Sequence, residues 1–139
     1  MVDDYMARLQ GYSTAVMGRK TYEFGYKFGM RRGQNPYHPK QTYVFSTSIN
    51  LPPDAAVSAV HGVWRAKILD LKATAQGAIY LCGGGDFAGW LLAEGLIDEV
   101  ILKRAPCIYG GGTSLFGSSN HRVALRRVNT VSYDNGYVL

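Results

Sequence analysis

"YLCGGGDFAGWL", residues 80–91, is an apolar run that halts at three consecutive glycines and resumes with an acidic residue and apolar positions at helical spacing. Glycine loses more backbone freedom on folding than any other residue. Gly83, Gly84 and Gly85 must therefore each be tolerated or needed there. On one side, "AIYLC" (78–82) is a continuous apolar run, the pattern of a strand covered on both faces. On the other, Asp86 stands at an N-cap position, Phe87, Trp90 and Leu91 share one helical face, and Gly95 is placed to stop the helix. Strand, glycine turn and helix form the unit from which the fold is read.

The same unit recurs upstream. "STAVMGRKTYEFGYKFG" (13–29) puts a short buried strand at Ala15–Met17, a break at Gly18 and a helix from Thr21, with Tyr22/Tyr26 and Phe24/Phe28 each four residues apart. Before it, "VDDYMARLQGY" (2–12) predicts a helix, with Tyr5, Met6 and Leu9 near helical spacing and Asp3 and Asp4 at its positive end. "RRGQNPYHPK" (31–40) is a loop that delivers a strand over Thr42–Ser46. Pro52 and Pro53 turn the chain, and "AAVSAV" (55–60) is a further short strand. From Val63 to Gln76 a helix is predicted, because Trp64, Ile68, Leu71 and Ala75 form one apolar stripe; Gly77 stands at its C-terminal cap. "IDEVILKRAP" (97–106) is predicted as the next strand, ended by Pro106. "RRVNTVSYDNGYVL" (126–139) reads as a hairpin turning at Asp134, Asn135 and Gly136. The alternation predicts one α/β domain over 1–139, with a mixed, mostly parallel sheet and an antiparallel C-terminal hairpin.

Composition narrows the function. The chain has 139 residues, 47% hydrophobic and 18% charged, which is the make-up of a globule able to bury a core without disulfides or metals. A formal charge of +5 and a pI near 9.3 favour anionic partners. The basic residues are scattered, with short pairs only at Arg31/Arg32, Lys103/Arg104 and Arg126/Arg127. That suits a phosphate-bearing small ligand better than a nucleic-acid track. Cys82 and Cys107 both lie in apolar, strand-like runs and read as buried small hydrophobes. No CxxC, HExxH or histidine cluster supports a metal, and His38, His61 and His121 read as separate surface residues. With no run of membrane-spanning length and no leader-like apolar segment, a cytoplasmic protein without membrane or nucleic-acid partners is expected.

A strand that ends in glycines and opens into a helix brings unpaired backbone N–H groups and the positive end of the helix dipole to one point, which suits a phosphate. Residues 83–89 match neither a P-loop, which needs a Lys-Ser/Thr pair, nor a strict GxGxxG; alone they read equally as a tight turn with no ligand. "MGRKT" (17–21) is a second candidate: Gly18 is followed by the cationic donors Arg19 and Lys20 and the hydroxyl of Thr21. Its alternative is a capped helix with two solvated cations. "FSTS" (45–48) offers Ser46, Thr47 and Ser48 to a phosphate or ribose, or to the capping of their own loop. Two glycine turns at the ends of strands in one small chain suggest a dinucleotide held between them. The second triple glycine, Gly110–Gly112, leads into the loop-like "TSLFGSS" and is not a repeat of the first.

Taken together, "VMGRKTYEF", "YVFSTS", "IYLCGGGDFAGWLLAEGLIDEVIL" and "PCIYGGGTSLF", in this order and at these distances, resemble the dihydrofolate reductase-like superfamily. The similarity is strongest to the branch of the RibD C-terminal domain of bacterial riboflavin biosynthesis, and it runs from about Ala15 to Phe116. The resemblance implies a three-layer α-β-α fold and NADPH-dependent hydride transfer to a small pterin- or pyrimidine-like heterocycle, as in dihydrofolate reductase or phosphoribosylaminouracil reductase. By position, Gly18, Arg19, Lys20 and Thr21 match the first phosphate-binding turn, and Ser46 and Thr47 the strand end near the adenosine 2′-phosphate. Gly83, Gly84 and Gly85 match the turn against the pyrophosphate, with Asp86 and Phe87 opening the helix beneath it. Gly111 and Thr113, within the Gly110–Thr113 loop, match the region near the nicotinamide. Tyr37, Tyr109 and Trp90 are candidates for stacking on a heteroaromatic ring.

The sequence departs from the pattern at its start. The family places a central apolar strand and a substrate-side loop before the first helix, whereas this sequence opens at or within that helix. The expectation is either a shortened form or a strand supplied by another segment or chain, and with it a homodimer. Asp3 and Asp4 fall in about the stretch where dihydrofolate reductases carry a pterin-orienting acid, and are otherwise helix-start carboxylates in solvent. The alternative to a reductase is a truncated or degenerate NADP-binding protein without turnover.

Overall fold

The structure is a computed structural model that describes residues 2–139. Its central strand is β1 (Tyr12–Gly18), flanked on one side by β2 (Gln41–Phe45) and then β3 (Ser58–Val60), and on the other by β4 (Ala78–Leu81). All three pairings are parallel. The register aligns the carboxyl ends: Val16 lies between Tyr43 and Leu81, and Gly18 lies beside Phe45. Parallel neighbours need crossovers; a helix lies in the one between β1 and β2, and a loop over 46–57 makes the one between β2 and β3. α2 (Arg19–Phe24) with a 3-10 turn (Gly25–Phe28) and the loop after it joins β1 to β2, and α3 (Trp64–Thr74) joins β3 to β4. α1 (Val2–Gln10) precedes β1, and α4 (Gly85–Ala93) follows β4.

Strand alternation sends neighbouring side chains to opposite faces, and each face has its own core. Val16, Phe45 and Val60 pack with Ile68 and Leu71 of α3, Phe87 and Leu91 of α4, and Leu96. Met17 and Val44, one residue along their strands, pack instead with Tyr22 of α2, Ile49 and Val57. The stripes expected on α3 and α4 are thus the buried ones. The four-residue spacings near α2 become edge-to-face ring pairs, Tyr22–Tyr26 at 5.7 Å and Phe24–Phe28 at 5.2 Å. Among the described residues no helix is long and apolar enough to cross a membrane.

Several expectations are corrected. The sheet is wholly parallel, not mixed. The segment predicted as a strand over 97–106 joins no sheet; its contact with a neighbour is an antiparallel bridge from Arg104 to Val138, with N–H···O distances of 2.8 and 3.0 Å. The tail turns at Tyr133–Gly136 and closes through paired Val131–Leu139 bonds of 2.9 Å, separate from the parallel sheet. β4 is only half-buried because the outer edge of the sheet lies along it, so a continuous apolar run did not mean cover on both faces. Cys107 is exposed, while Cys82 is half-buried as a small apolar residue at a strand end. α2 begins at Arg19, two residues earlier than expected, directly after Gly18.

Phe45 is the keystone of the larger core: it is 2% exposed, stacks on Phe87 with centroids 4.9 Å apart, and meets Trp64 edge-on at 6.0 Å. Phe45→Ala is expected to cost about 3–5 kcal/mol in unfolding free energy. Urea denaturation checks this, and a loss below about 1 kcal/mol would show that the ring pair is not what anchors β2 to α4.

Candidate functional site

The strand order β3-β2-β1-β4 contains one reversal: the chain moves outward from β1 through β2 and β3, then returns to the far side of β1 as β4. In open parallel sheets, ligands bind outside the carboxyl ends of the strands where the order reverses. Here those ends are Gly18 of β1 and the Cys82–Gly83 exit of β4, so the reversal brings together the two glycine turns singled out in the sequence.

They meet by direct contact. Gly84 has φ of +92°, and a Cβ there would collide with the Thr21 hydroxyl. Gly18 admits Phe87 in the same way, since a Cβ on Gly18 would lie 3.2 Å from that of Phe87. Above this seam Lys20 Nζ forms an exposed ion pair with Asp86 Oδ2 at 3.1 Å, and Arg19 is held by Glu23 at 2.7 Å. The cap of α4 is Gly84, not Asp86; Asp86 sits within the first turn, where its charge still favours the positive end of the helix. α2 is only six residues long, so charge from Arg19 and Lys20 outweighs any dipole there.

The three glycines divide the work. Gly83, with φ of +54°, faces open space. Gly85 admits another part of the chain: a Cβ there would lie 2.7 Å from the Ser114 carbonyl and 2.8 Å from the Gly117 nitrogen. Gly89, further along α4, admits the Phe116 carbonyl. The segment after the second triple glycine is therefore strapped onto α4, while Gly110, Gly111 and Gly112 have nothing within 4 Å of their Cβ positions. Thr113 is exposed beside the strap.

The other predicted residues lie around this centre. The Ser46 Oγ accepts N–H bonds from Ser48 (3.1 Å) and Ile49 (2.9 Å), so it caps its own turn. Thr47 is exposed and borders an open cleft of about 640 Å³ walled by His61, Val63, Trp64, Arg65 and Trp90. The indoles of Trp64 and Trp90 meet edge-to-face at 5.5 Å. At the lip, Val63 has φ of +49°, a left-handed backbone that costs a β-branched residue about 1–2 kcal/mol. Apart from the two tryptophans, no local sequence signal marks this cleft wall. Phe87 is core, not surface. Asp3 is exposed on α1, and Asp4 accepts a 2.7 Å bond from the Tyr133 hydroxyl, which holds its carboxyl below the usual range. Tyr109 is exposed.

Beneath α1, a phenol cluster that the sequence reading did not assemble adjoins Gly83. The Tyr37 hydroxyl and Cys82 Sγ share a hydrogen bond at 2.6 Å, Tyr80 shares one with Tyr5 at 3.1 Å, and the Tyr37 and Tyr80 rings lie 5.4 Å apart. Burial pushes the Cys82 thiol up, with Tyr37 opposing the shift, and burial also pushes the Tyr37 and Tyr80 phenols well above their ordinary values.

The sequence profile of the RibD C-terminal domain matches residues 3–139. The uncharacterized protein YwjB of Bacillus subtilis (strain 168) is 29% identical over 124 residues, covering 89% of this chain and 70% of that protein. A crystal structure of a protein assigned to riboflavin biosynthesis from Shewanella sp. PV-4 superposes with a TM-score of 0.78 at 26% identity, covering 96% of this chain and 75% of the other. A pyrimidine reductase-like protein of Corynebacterium diphtheriae superposes with a TM-score of 0.64 at 17% identity, covering 98% and 77%, and shares the fold.

Two outcomes follow from this geometry. Gly84→Ala should lose stability both through its backbone angle and through the Thr21 contact, whereas in a Thr21→Ala background only the backbone cost, about 1–2 kcal/mol, remains. A double-mutant cycle should therefore show coupling of about 1 kcal/mol or more, and additive costs would refute the contact. The raised thiol and phenols give a second test. Below their ordinary values of 9.0 and 10.0 they are neutral whether folded or not; above, the unfolded chain ionises first. Urea midpoints should hold steady to about pH 8 and fall progressively by about pH 11; a flat profile would contradict the burial of this cluster.

Proposed function

Because the chain belongs to the RibD C-terminal domain family, we propose that it is an NADPH-dependent reductase that transfers hydride to a pyrimidine- or pterin-like heterocycle. The observation that carries this reading is the contact of the two glycine turns at the strand reversal, Thr21 against Gly84. It sets cationic side chains, the open face of Gly83 and the first turn of α4 around one point, a donor set that suits a pyrophosphate. The residues also fit the rest of such a cofactor. The cleft beside Thr47 is walled by two indoles that offer a planar base an apolar seat, with His61 and Arg65 at its margin.

In this reading Lys20 and Arg19 neutralise the phosphates, Gly83 lets them reach the backbone, and Thr47 with the Trp64–Trp90 wall holds the base. Ser46 acts indirectly, by fixing the turn that presents Thr47. Bound NADPH supplies the hydride, and the chain's contribution is orientation, which is what hydride transfer chiefly requires. The phenol cluster of Tyr5, Tyr37 and Tyr80, joined through Tyr37 to Cys82 next to Gly83, offers ring edges and hydroxyl groups to an acceptor. The likeness to the Shewanella protein assigned to riboflavin biosynthesis supports an acceptor from that process. A second reading, a dinucleotide binder without turnover, is favoured by one observation: residues 97–128 form no regular strand or helix beside the site.

Titration with NADPH, with NADH in parallel, should give a saturable change in the fluorescence of Trp64 and Trp90, tighter for NADPH. Lys20→Glu should weaken it about tenfold, the scale of reversing one exposed charge contact. No saturable response at millimolar NADPH would overturn both readings. Oxidation of bound NADPH on adding phosphoribosylaminouracil or dihydrofolate selects the reductase; saturable binding with no oxidation selects the binder.

A further inference from the structure

Among the described residues, Val63 is the one non-glycine residue with positive φ, at φ of +49° and ψ of +37°. Nothing in the fold calls for valine there. It is the N-cap of α3, a position that favours Ser, Thr, Asp or Asn, and its side chain makes no capping bond. A branched Cβ makes left-handed backbone costly, whereas glycine and asparagine adopt it readily. Burial offers no compensation, because Val63 is 82% exposed. The permissive residue stands one position away: Gly62 has no positive φ, and a Cβ on it would meet nothing within 4 Å.

Backbone and side chain have separable roles at this turn. The Val63 carbonyl accepts the first bond of α3, from the Lys67 N–H at 3.0 Å, and the turn delivers Trp64, whose Nε1–H donates to the Val60 carbonyl at 3.0 Å. Asparagine or glycine would make the same turn. What valine adds over either is an apolar group at the lip of the cleft, beside Trp64, Leu69 and Trp90. Leu69, 46% exposed, is a second apolar side chain left out of the core on the same cleft.

The rest of the lining favours an uncharged, planar ligand. The polar atom of the Trp64 indole is engaged within the fold, and Arg65 is held by Glu94, at 3.1 Å from its carboxylate and 3.0 Å from its carbonyl. Apolar side chains therefore dominate the seat, with His61 and Thr47 at its margin. Strained residues persist where their surroundings hold them for a purpose, and an exposed valine strained at the lip of an apolar cleft has that purpose in a ligand.

We propose that Val63 is a specificity-determining residue of this cleft: its isopropyl group covers an uncharged heteroaromatic base seated against the Trp64–Trp90 wall, and fold stability is given up at residue 63 for that contact. The inference rests on the cleft being the base seat of the cofactor, and it adds to that reading a residue retained for the ligand against the interest of the fold. An apolar lip favours a base over a charged group, and so discriminates between ligands that carry the same phosphates.

The test separates fold from ligand by moving them in opposite directions. Val63→Asn keeps the left-handed turn and loses the apolar group, so thermal unfolding should shift up by about 2–5 °C. In titration calorimetry the same variant should bind NADPH about three- to tenfold more weakly. Adenosine 2′-monophosphate, competing with NADPH, should lose affinity by the same factor, because the loss lies at the base. Val63→Ile keeps both the strain and the apolar group, and should match the unaltered chain in melting and in binding. A Val63→Asn chain that melts lower, or that binds NADPH and adenosine 2′-monophosphate undiminished, overturns the inference and leaves the cofactor reading standing. Equal loss of affinity in Val63→Ile does the same. An unaltered chain that shows no saturable NADPH binding overturns both.

Discussion

The candidate site depends on one close approach, the hydroxyl of Thr21 seated where a side chain on Gly84 would be. Glycine is required there twice over, for a φ of +92° and for the space. The contact fixes the distance between the exits of β1 and β4, and with it the gap across which Lys20 and Asp86 pair. Gly18 makes the complementary concession by letting Phe87 approach, which ties the same seam to the core through the stack of Phe87 on Phe45. Site and core are therefore not independent: the ring that anchors α4 also sets where its first turn opens.

How much of this was legible in the sequence depends on whether a residue's role is local. Period and punctuation found β1, β2, α3, β4 and α4, because apolar spacing and glycine placement act within a few residues. The pairing of the glycine turns was legible as well, since both follow apolar runs that end parallel strands. Long-range partners were not. "IDEVILKRAP" has strand composition, yet whether it enters a sheet depends on a neighbour that its own sequence does not specify. Asp86 looked like a cap because its residue type favours that position, but the strained turn gave the cap to Gly84. Cys107 looked buried by its apolar neighbours, of which Ile108 and Tyr109 prove to be exposed with it. The phenol cluster joins residues 5, 37, 80 and 82, and no spacing rule connects them.

A glycine run invites a single explanation, and the structure offers three. Gly84 is used for close contact with Thr21, Gly85 for the strap at Ser114–Gly117, and Gly83 for neither. Of the three, Gly83 alone has open space at its Cβ position, so the unobstructed approach for an anion is narrower than three glycines suggest. The strap has its own permissive residue, Gly117 at φ of +59°, whose Cβ position lies 2.9 Å from Asp86 Oδ1. Asp86 is thus pressed between Lys20 and the strap.

That arrangement bears on how an anion would enter. Asp86 places a carboxylate in the first turn of α4, where the helix favours negative charge, and Lys20 holds it there at 3.1 Å. Both side chains are largely exposed, and an ion pair of that kind contributes only about 0–1 kcal/mol. The Arg19–Glu23 pair is only partly exposed yet spans one helical turn, where such pairs contribute about 0.3–0.5 kcal/mol. Displacing either partner therefore costs little against the gain from a phosphate, whose hydrogen bonds to charged donors are worth about 1.5–3 kcal/mol each. In the proposed reading, the two acidic residues would serve as internal stand-ins that hold Lys20 and Arg19 ready to transfer to a stronger anion. On that reading a monoanionic ligand would gain little over the carboxylates already present, whereas a pyrophosphate would gain on both cations at once.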